Sequence, residues 1–158
     1  MKIFRTTAVI NVSRWDAEKR IMFEVSPAMA GATRGQPKAG DKRFDYDKGC
    51  RLSFKGAELL TYAYQFIALS QGAEGIEIKK FVDKSKSAAS ASDDSVSLNV
   101  KVGQNGGIFV GMSQGKDKKV SINIGFDEVY AIGRYLEFAA QDYFKDDGNF
   151  QRDDSSEG

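Results

Sequence analysis

The sequence predicts an α+β fold of two ββββα units, each an antiparallel curved sheet covered by a helix, and three observations predict it. In the second half Leu98, Val100 and Val102, then Ile108, Val110 and Met112, then Val120, Ile122 and Ile124 alternate at a spacing of two, the mark of half-buried strands. The period then turns helical, with Val129, Ile132, Leu136, Ala139 and Ala140 spaced along Asp127 to about Phe144. The first half shows the same order of elements, so each half has one sheet face that needs a helix to cover it.

Taken in order, the first half offers strands over Ile3 to Val12, Arg20 to Ser26, Lys42 to Asp47 and Cys50 to Ser53, then a helix from Phe54 to about Leu69. Leu59, Leu60, Ala63, Phe66 and Ile67 form the apolar face of that helix. Ile76 to Val82 is the next strand, and Ser85 to Ser95, rich in Ser and Ala, reads as a loop. Gly103-Gln104-Asn105-Gly106-Gly107 and Gln114-Gly115-Lys116-Asp117 close the later hairpins, because their residues tolerate positive φ and tight turns. Gly125 is placed to cap the second helix, and Asp127 and Glu128 suit its positive end. The two helices align with Phe54 on Phe126, Leu60 on Ile132 and Phe66 on Phe138, giving pseudo-repeats of about residues 1–72 and 73–144. Two longer polar loops, Pro27 to Asp41 with Arg34 and Lys38 and Lys84 to Ser95 with Lys84 and Lys86, are placed to order on a ligand.

With 158 residues, 41% hydrophobic and 28% charged, the chain has the size and composition of one domain with a buried core. Its formal charge is +1, but Lys145 to Gly158 hold two basic and five acidic side chains. A mildly basic body therefore precedes an acidic, disordered tail, which would compete for basic surface or recruit replication, recombination or transcription proteins. Cys50 has no partner for an internal disulfide, the N-terminus reads as no signal peptide, and no run reaches the roughly 18 to 20 apolar residues of a membrane span, so a cytoplasmic setting is expected.

The absence of His removes the usual general base, the usual zinc ligand and any Ser-His or Cys-His pair. The acidic pairs Asp45 and Asp47, Asp93 and Asp94, and Asp146 and Asp147 come with no element suggesting phosphoryl chemistry, and Gly103 to Gly107 lacks the ending of a P-loop. No catalytic residue, metal or cofactor is expected, and the protein is read as a non-enzyme.

If Leu98, Val100 and Val102 face the helix, Ser97, Asn99 and Lys101 face away, together with Phe109 and with Lys119, Ser121 and Asn123. Cations that follow phosphates, rings that stack bases and small polar groups that hydrogen-bond them suit single-stranded nucleic acid. Arg14, Trp15 and Arg20 flank the first hairpin, Arg5 alternates away from Phe4, Ala8, Ile10 and Val12, and Lys42 to Lys48 mixes cations with Phe44 and Tyr46. In Lys79-Lys80-Phe81 alternation puts Lys79 and Phe81 on one side and Lys80 on the other. The expected binding set is Arg5, Arg14, Trp15, Arg20, Arg43, Phe44, Tyr46, Lys48, Arg51, Lys79, Phe81, Asn99, Lys101, Phe109 and Lys119. The same pattern also fits a plain sheet with one solvated face, Phe109 in a subunit interface, and Trp15, Phe44 and Tyr46 folded onto the sheet edge.

Ile21-Met22-Phe23-Glu24-Val25-Ser26-Pro27-Ala28, then Lys42-Arg43-Phe44-Asp45-Tyr46-Asp47-Lys48, then Leu52-Ser53 opening a helix, resemble the Whirly single-stranded DNA-binding proteins. Phe44-Asp45-Tyr46 stands where that family has a Tyr-Asp-Trp-like hairpin, and the likeness runs from about Ile3 to Phe144. Whirly proteins share their fold with the transcriptional coactivator positive cofactor four, whose relatives occur in bacteria and bacteriophages. Arg5-Thr6-Thr7-Ala8 departs from the family's basic, small-residue strand, and the loop Pro27 to Asp41 is longer. The resemblance implies largely sequence-independent binding of single-stranded DNA in replication, recombination or transcription, and a homo-oligomer, dimer or tetramer, in a bacterial or phage-infected cell. A protein-interaction module and an RNA-binding protein on the same fold are the alternatives.

Overall fold

In the computed structural model, residues 1–29, 43–81 and 95–145 are described. Strands β1 (Lys2–Phe4), β2 (Ala8–Trp15), β3 (Arg20–Pro27) and β4 (Cys50–Lys55) form one antiparallel sheet in chain order, followed by helix α1 (Glu58–Ser70). Strands β5 (Ile76–Phe81), β6 (Ser95–Val102), β7 (Ile108–Gln114) and β8 (Lys118–Ile124) form a second, followed by α2 (Phe126–Phe144). The ββββα doubling predicted from the sequence is therefore the fold. The long loops beyond Met29 and before Ser95, and the acidic stretch after Lys145, lie outside the described residues.

Two strands of the first sheet, β3 and β4, stand where the sequence places them, and the other two do not. The segment Ile3 to Val12 is a hairpin of its own, turning at Arg5–Thr7, where the Arg5 N–H donates to the Ala8 carbonyl at 2.9 Å. The turn puts Ile3 opposite Ile10 in the core and turns Phe4 outward opposite Val9, reversing the expected side for Phe4. Of Lys42 to Asp47, the described part makes only an isolated bridge between Ala28 and Phe44 before a single 3₁₀ turn at Tyr46–Lys48, so the expected strand is absent there. The first helix begins later than Phe54, because Phe54 pairs with Ile21 and is fully buried on β4. Gly56, at φ 61°, then turns the chain into α1.

The buried positions give the true internal register. Cys50, Leu52 and Phe54 on β4 correspond to Val120, Ile122 and Ile124 on β8, and Leu59, Ala63, Phe66 and Leu69 on α1 correspond to Val129, Gly133, Leu136 and Ala139 on α2. This differs by two residues from the alignment of the phenylalanines, which fails physically: Phe66 is buried and Phe138 exposed. Corresponding residues meet where the helices cross. A Cβ on Gly133 would stand 2.9 Å from the Ala63 carbonyl oxygen and 2.7 Å from Ile67 Cγ1, so the backbones approach as closely as glycine allows. The two halves correspond element by element on either side of this crossing, and both sheets and both helices share one apolar core.

Two ion pairs repeat that correspondence. Glu128 in the first turn of α2 pairs with Arg5 beyond β1, and Glu58 in the first turn of α1 pairs with Lys80 on β5, so each helix start is tied to the other half's edge strand. Glu128 also accepts a hydrogen bond from the Gly125 N–H at 2.9 Å, capping α2.

Helix propensity alone would have Gly133→Ala stabilise the protein by about 1 kcal/mol. The crossing geometry predicts the opposite sign, since overpacking against backbone costs about 1–3 kcal/mol. Urea unfolding of Gly133→Ala is expected to show lowered stability, with Gly133→Val worse.

Candidate nucleic-acid interface

Alternation leaves each sheet one face turned away from the core. On the second sheet, cross-strand register assembles three rows on that face: Lys79, Ser97, Ser113 and Lys119; Glu77, Asn99, Gly111 and Ser121; and Lys101, Phe109 and Asn123. The predicted residues Lys79, Asn99, Lys101, Phe109 and Lys119 are thus brought together. Phe81 follows on the same side of β5 by register, and its side chain is outside the description.

Phe109, in the row nearest the β6–β7 turn, sends its ring over the middle row of this face. A Cβ on Gly111 would fall 2.7 and 2.9 Å from two atoms of the Phe109 ring, so the ring lies down over the glycine along its own strand. Lys101 Nζ stands 5.7 Å from the ring centroid. Two open grooves, of about 640 and 400 Å³, share Phe109 as a wall. One is bounded by Lys101, the Gly103–Gly107 turn and Asn123, the other by Asn99, Gly111, Lys119 and Ser121. Ser97 and Ser113 hydroxyls hydrogen-bond each other at 2.5 Å, leaving the amides of Asn99 and Asn123 as the principal polar groups beside the ring.

On the first sheet the predicted residues are more scattered. Trp15, 43% exposed, shares an outward row with Arg20 and Lys55 at the end of the β2–β3 hairpin. Arg20 Nε is 2.7 Å from Glu18, an ion contact whose N–H is not aimed at the carboxylate. Arg51 pairs with Glu24 at 2.8 Å. Phe44 packs on Phe4 with centroids 5.8 Å apart, Tyr46 is exposed, and Lys48 lies 4.0 Å from Asp45. Arg43 holds its segment through its carbonyl, which accepts the Met29 N–H at 2.7 Å.

Arg14 faces the opposite way from Trp15. Its guanidinium binds Asp16 at 2.8 Å and Asp142 at 2.5 Å and lies 4.7 Å from the centre of the Tyr143 ring. The Tyr143 hydroxyl donates to Asp16 at 2.9 Å and lies 3.2 Å from the Arg20 carbonyl oxygen. This cluster fastens the end of α2 to the first hairpin. Hydrogen bonds from Tyr143 and Arg14 hold the Asp16 carboxyl below its ordinary 3.8, and Arg14 does the same for Asp142. Burial pushes the Tyr143 phenol up.

Sequence reasoning missed Phe4, now 55% exposed on the first sheet's outer face, and Gly111 as the bed for Phe109. The signal for Gly111 was a glycine inside an otherwise alternating strand, which marks close approach of another group. Among the described residues no group of three or more His, Cys, Asp or Glu could hold a metal ion.

No protein-family profile matches the chain, and no curated protein matches it in sequence. Solved structures do match in shape. The plant transcriptional regulator PBF-2 has 16% identity and a TM-score of 0.58, over 97% of this chain and 96% of that one. WHY1 from Arabidopsis thaliana has 14% identity and a TM-score of 0.57, over 89% and 87%. The MRP1/MRP2 structures from Trypanosoma bruciei give 10% identity and a TM-score of 0.53, over 91% and 78%. These likenesses establish the Whirly-like fold.

The Arg14 cluster makes a pH prediction. Because Asp16 and Asp142 have lowered folded values, the stability they add is full above 3.8 and is lost as pH falls through those values. Thermal melts of Arg14→Met against the parent chain are expected to differ near neutral pH and to converge in acid below 3.8, the variant having the shallower acid limb.

Proposed function

We propose that this chain is a single-stranded nucleic-acid-binding protein, DNA foremost and largely indifferent to sequence, and that the outer face of the β5–β8 sheet is its principal contact. One observation carries the reading: the Phe109 ring is laid on Gly111 with Lys101 over it and Asn99 and Asn123 on its two sides. A ring bedded on a sheet is an immobilised stacking surface, so a base adding to it orders little that is not already ordered. Lys101 and Lys119 stand in reach of the phosphates on either side of such a base. Trp15 with Arg20 and Lys55, and Phe4 with Phe44 and Tyr46, extend the surface onto the first sheet.

The protein acts by binding and not by catalysis in this reading, in replication, recombination or transcription. The shape shared with a plant transcriptional regulator supports the reading at the level of fold. Self-association belongs to the same proposal, because Tyr64, Tyr130 and Phe138 stand exposed on the helices, away from the strands that face nucleic acid.

Fluorescence anisotropy with labelled single-stranded and duplex oligonucleotides at two salt concentrations tests it. Strand-selective binding is expected, with log K falling by about 0.7 per neutralised phosphate for each unit of log salt. Phe109→Ala is expected to weaken it about 5- to 150-fold, the equivalent of about 1–3 kcal/mol for one stacked base. No binding at low salt, or equal affinity for duplex, overturns the reading, and preference for matched RNA moves the substrate from DNA to RNA.

A further inference from the structure

The internal register allows the two outer faces to be compared residue by residue. Val12, Phe23 and Leu52 form one buried row of the first sheet, and Val100, Val110 and Ile122 form the corresponding row of the second. Stepping one residue outward on each strand sets Asn11, Glu24 and Arg51 against Asn99, Gly111 and Ser121, and Ser13, Met22 and Ser53 against Lys101, Phe109 and Asn123. Only the asparagine is retained. Met22 stands where the second sheet has its ring, and Ser13 where it has its lysine. Glu24 fills the place of the glycine on which that ring lies, and is only 9% exposed. Arg51 binds Glu24 at 2.8 Å and so offers no unpaired charge beside it.

From this we infer that the two halves have diverged in role, so that each chain carries one central base-stacking site, on the second sheet, while the corresponding position on the first sheet is closed by the Glu24–Arg51 pair. The inference rests on the proposed binding of single strands and adds where, and how many times, a chain binds. Three physical features close the first face. Without glycine at 24, a ring at 22 has nowhere to lie, because the Glu24 side chain occupies that space. The carboxylate repels phosphate where the second sheet presents neutral groups. The Arg51 guanidinium, already paired, would leave Glu24 nearly buried and unpaired if it turned to a phosphate. The first sheet then serves a strand only at its margins, through Trp15 and through Phe4 with Phe44.

The test counts strands per chain. The full chain is titrated by calorimetry with an oligothymidylate too short to span both sheets, alongside Phe109→Ala, Met22→Ala and the double variant Met22→Phe with Glu24→Gly. One strand per chain is expected for the parent protein, with affinity unchanged within about twofold in Met22→Ala and lowered about 5- to 150-fold in Phe109→Ala. The double variant is expected to gain a second site. Should it fail to fold, the contrast between Met22→Ala and Phe109→Ala still decides. Two equivalent strands on the parent chain, or equal losses in Met22→Ala and Phe109→Ala, overturn the inference while leaving single-strand binding intact. Absence of binding in every variant overturns the binding reading and the inference with it.

Discussion

The approach of α1 to α2 at Ala63 and Gly133 is the constraint on which the rest of the structure depends. At the crossing the only side chains small enough are a methyl group and a hydrogen, and Ile67 packs into the space that a larger residue would take. Backbone contact there brings two sheets, each with a single apolar face, onto one shared core. Both helices pack on the sheets' apolar faces, so the outer face of the second sheet, unlike that of the first, where Val9, Ser26 and Glu24 are buried, is left polar and open, and a ring can lie on glycine there.

The charges divide along similar lines. Arg5, Arg14, Arg20, Arg51 and Arg134 each pair with a carboxylate of the chain, most of them tying together parts distant in sequence or adjacent strands. Among the described residues Lys55, Lys101 and Lys119 have no carboxylate partner, and they stand on the outer faces. Side-chain chemistry favours this arrangement without making it a rule, since Lys48, Lys79, Lys80 and Lys145 also pair with carboxylates: a planar guanidinium with several fixed donors suits a permanent pair, whereas an ammonium on a flexible stem suits a phosphate that moves. A chain with 23 cationic and 22 anionic side chains thus presents basic surface without a large net charge.

Alternation and helical period were strong enough to reveal the doubling, the three later strands and α2, because in that half the apolar residues sit on one face without interruption. They misled in the first half. Ile3 to Val12 reads as one strand because nothing in Arg5-Thr6-Thr7 carries a glycine or proline to announce a turn, and Phe4 looks apolar enough for the core. Phe54 was assigned to the helix because periodicity does not distinguish the last inward residue of a strand from the first of a helix. On the site, register within the second sheet was legible from spacing alone, so Asn99, Lys101, Phe109 and Lys119 were placed together. The arginines were not legible in the same way, since their carboxylate partners lie far off in sequence, as Asp142 does from Arg14 and Glu128 from Arg5.

Those distant partners bear on how the protein is made. Arg5, Arg14 and Asp16 near the start of the chain find their partners in Glu128, Asp142 and Tyr143, at the end of the described residues. During synthesis the first sheet and α1, whose Phe66 and Tyr62 pack on Phe23 and Phe54 of that sheet, emerge well before α2 fastens the β2–β3 hairpin. Contacts this remote in sequence raise contact order, which slows folding, and α2 is the element that closes them.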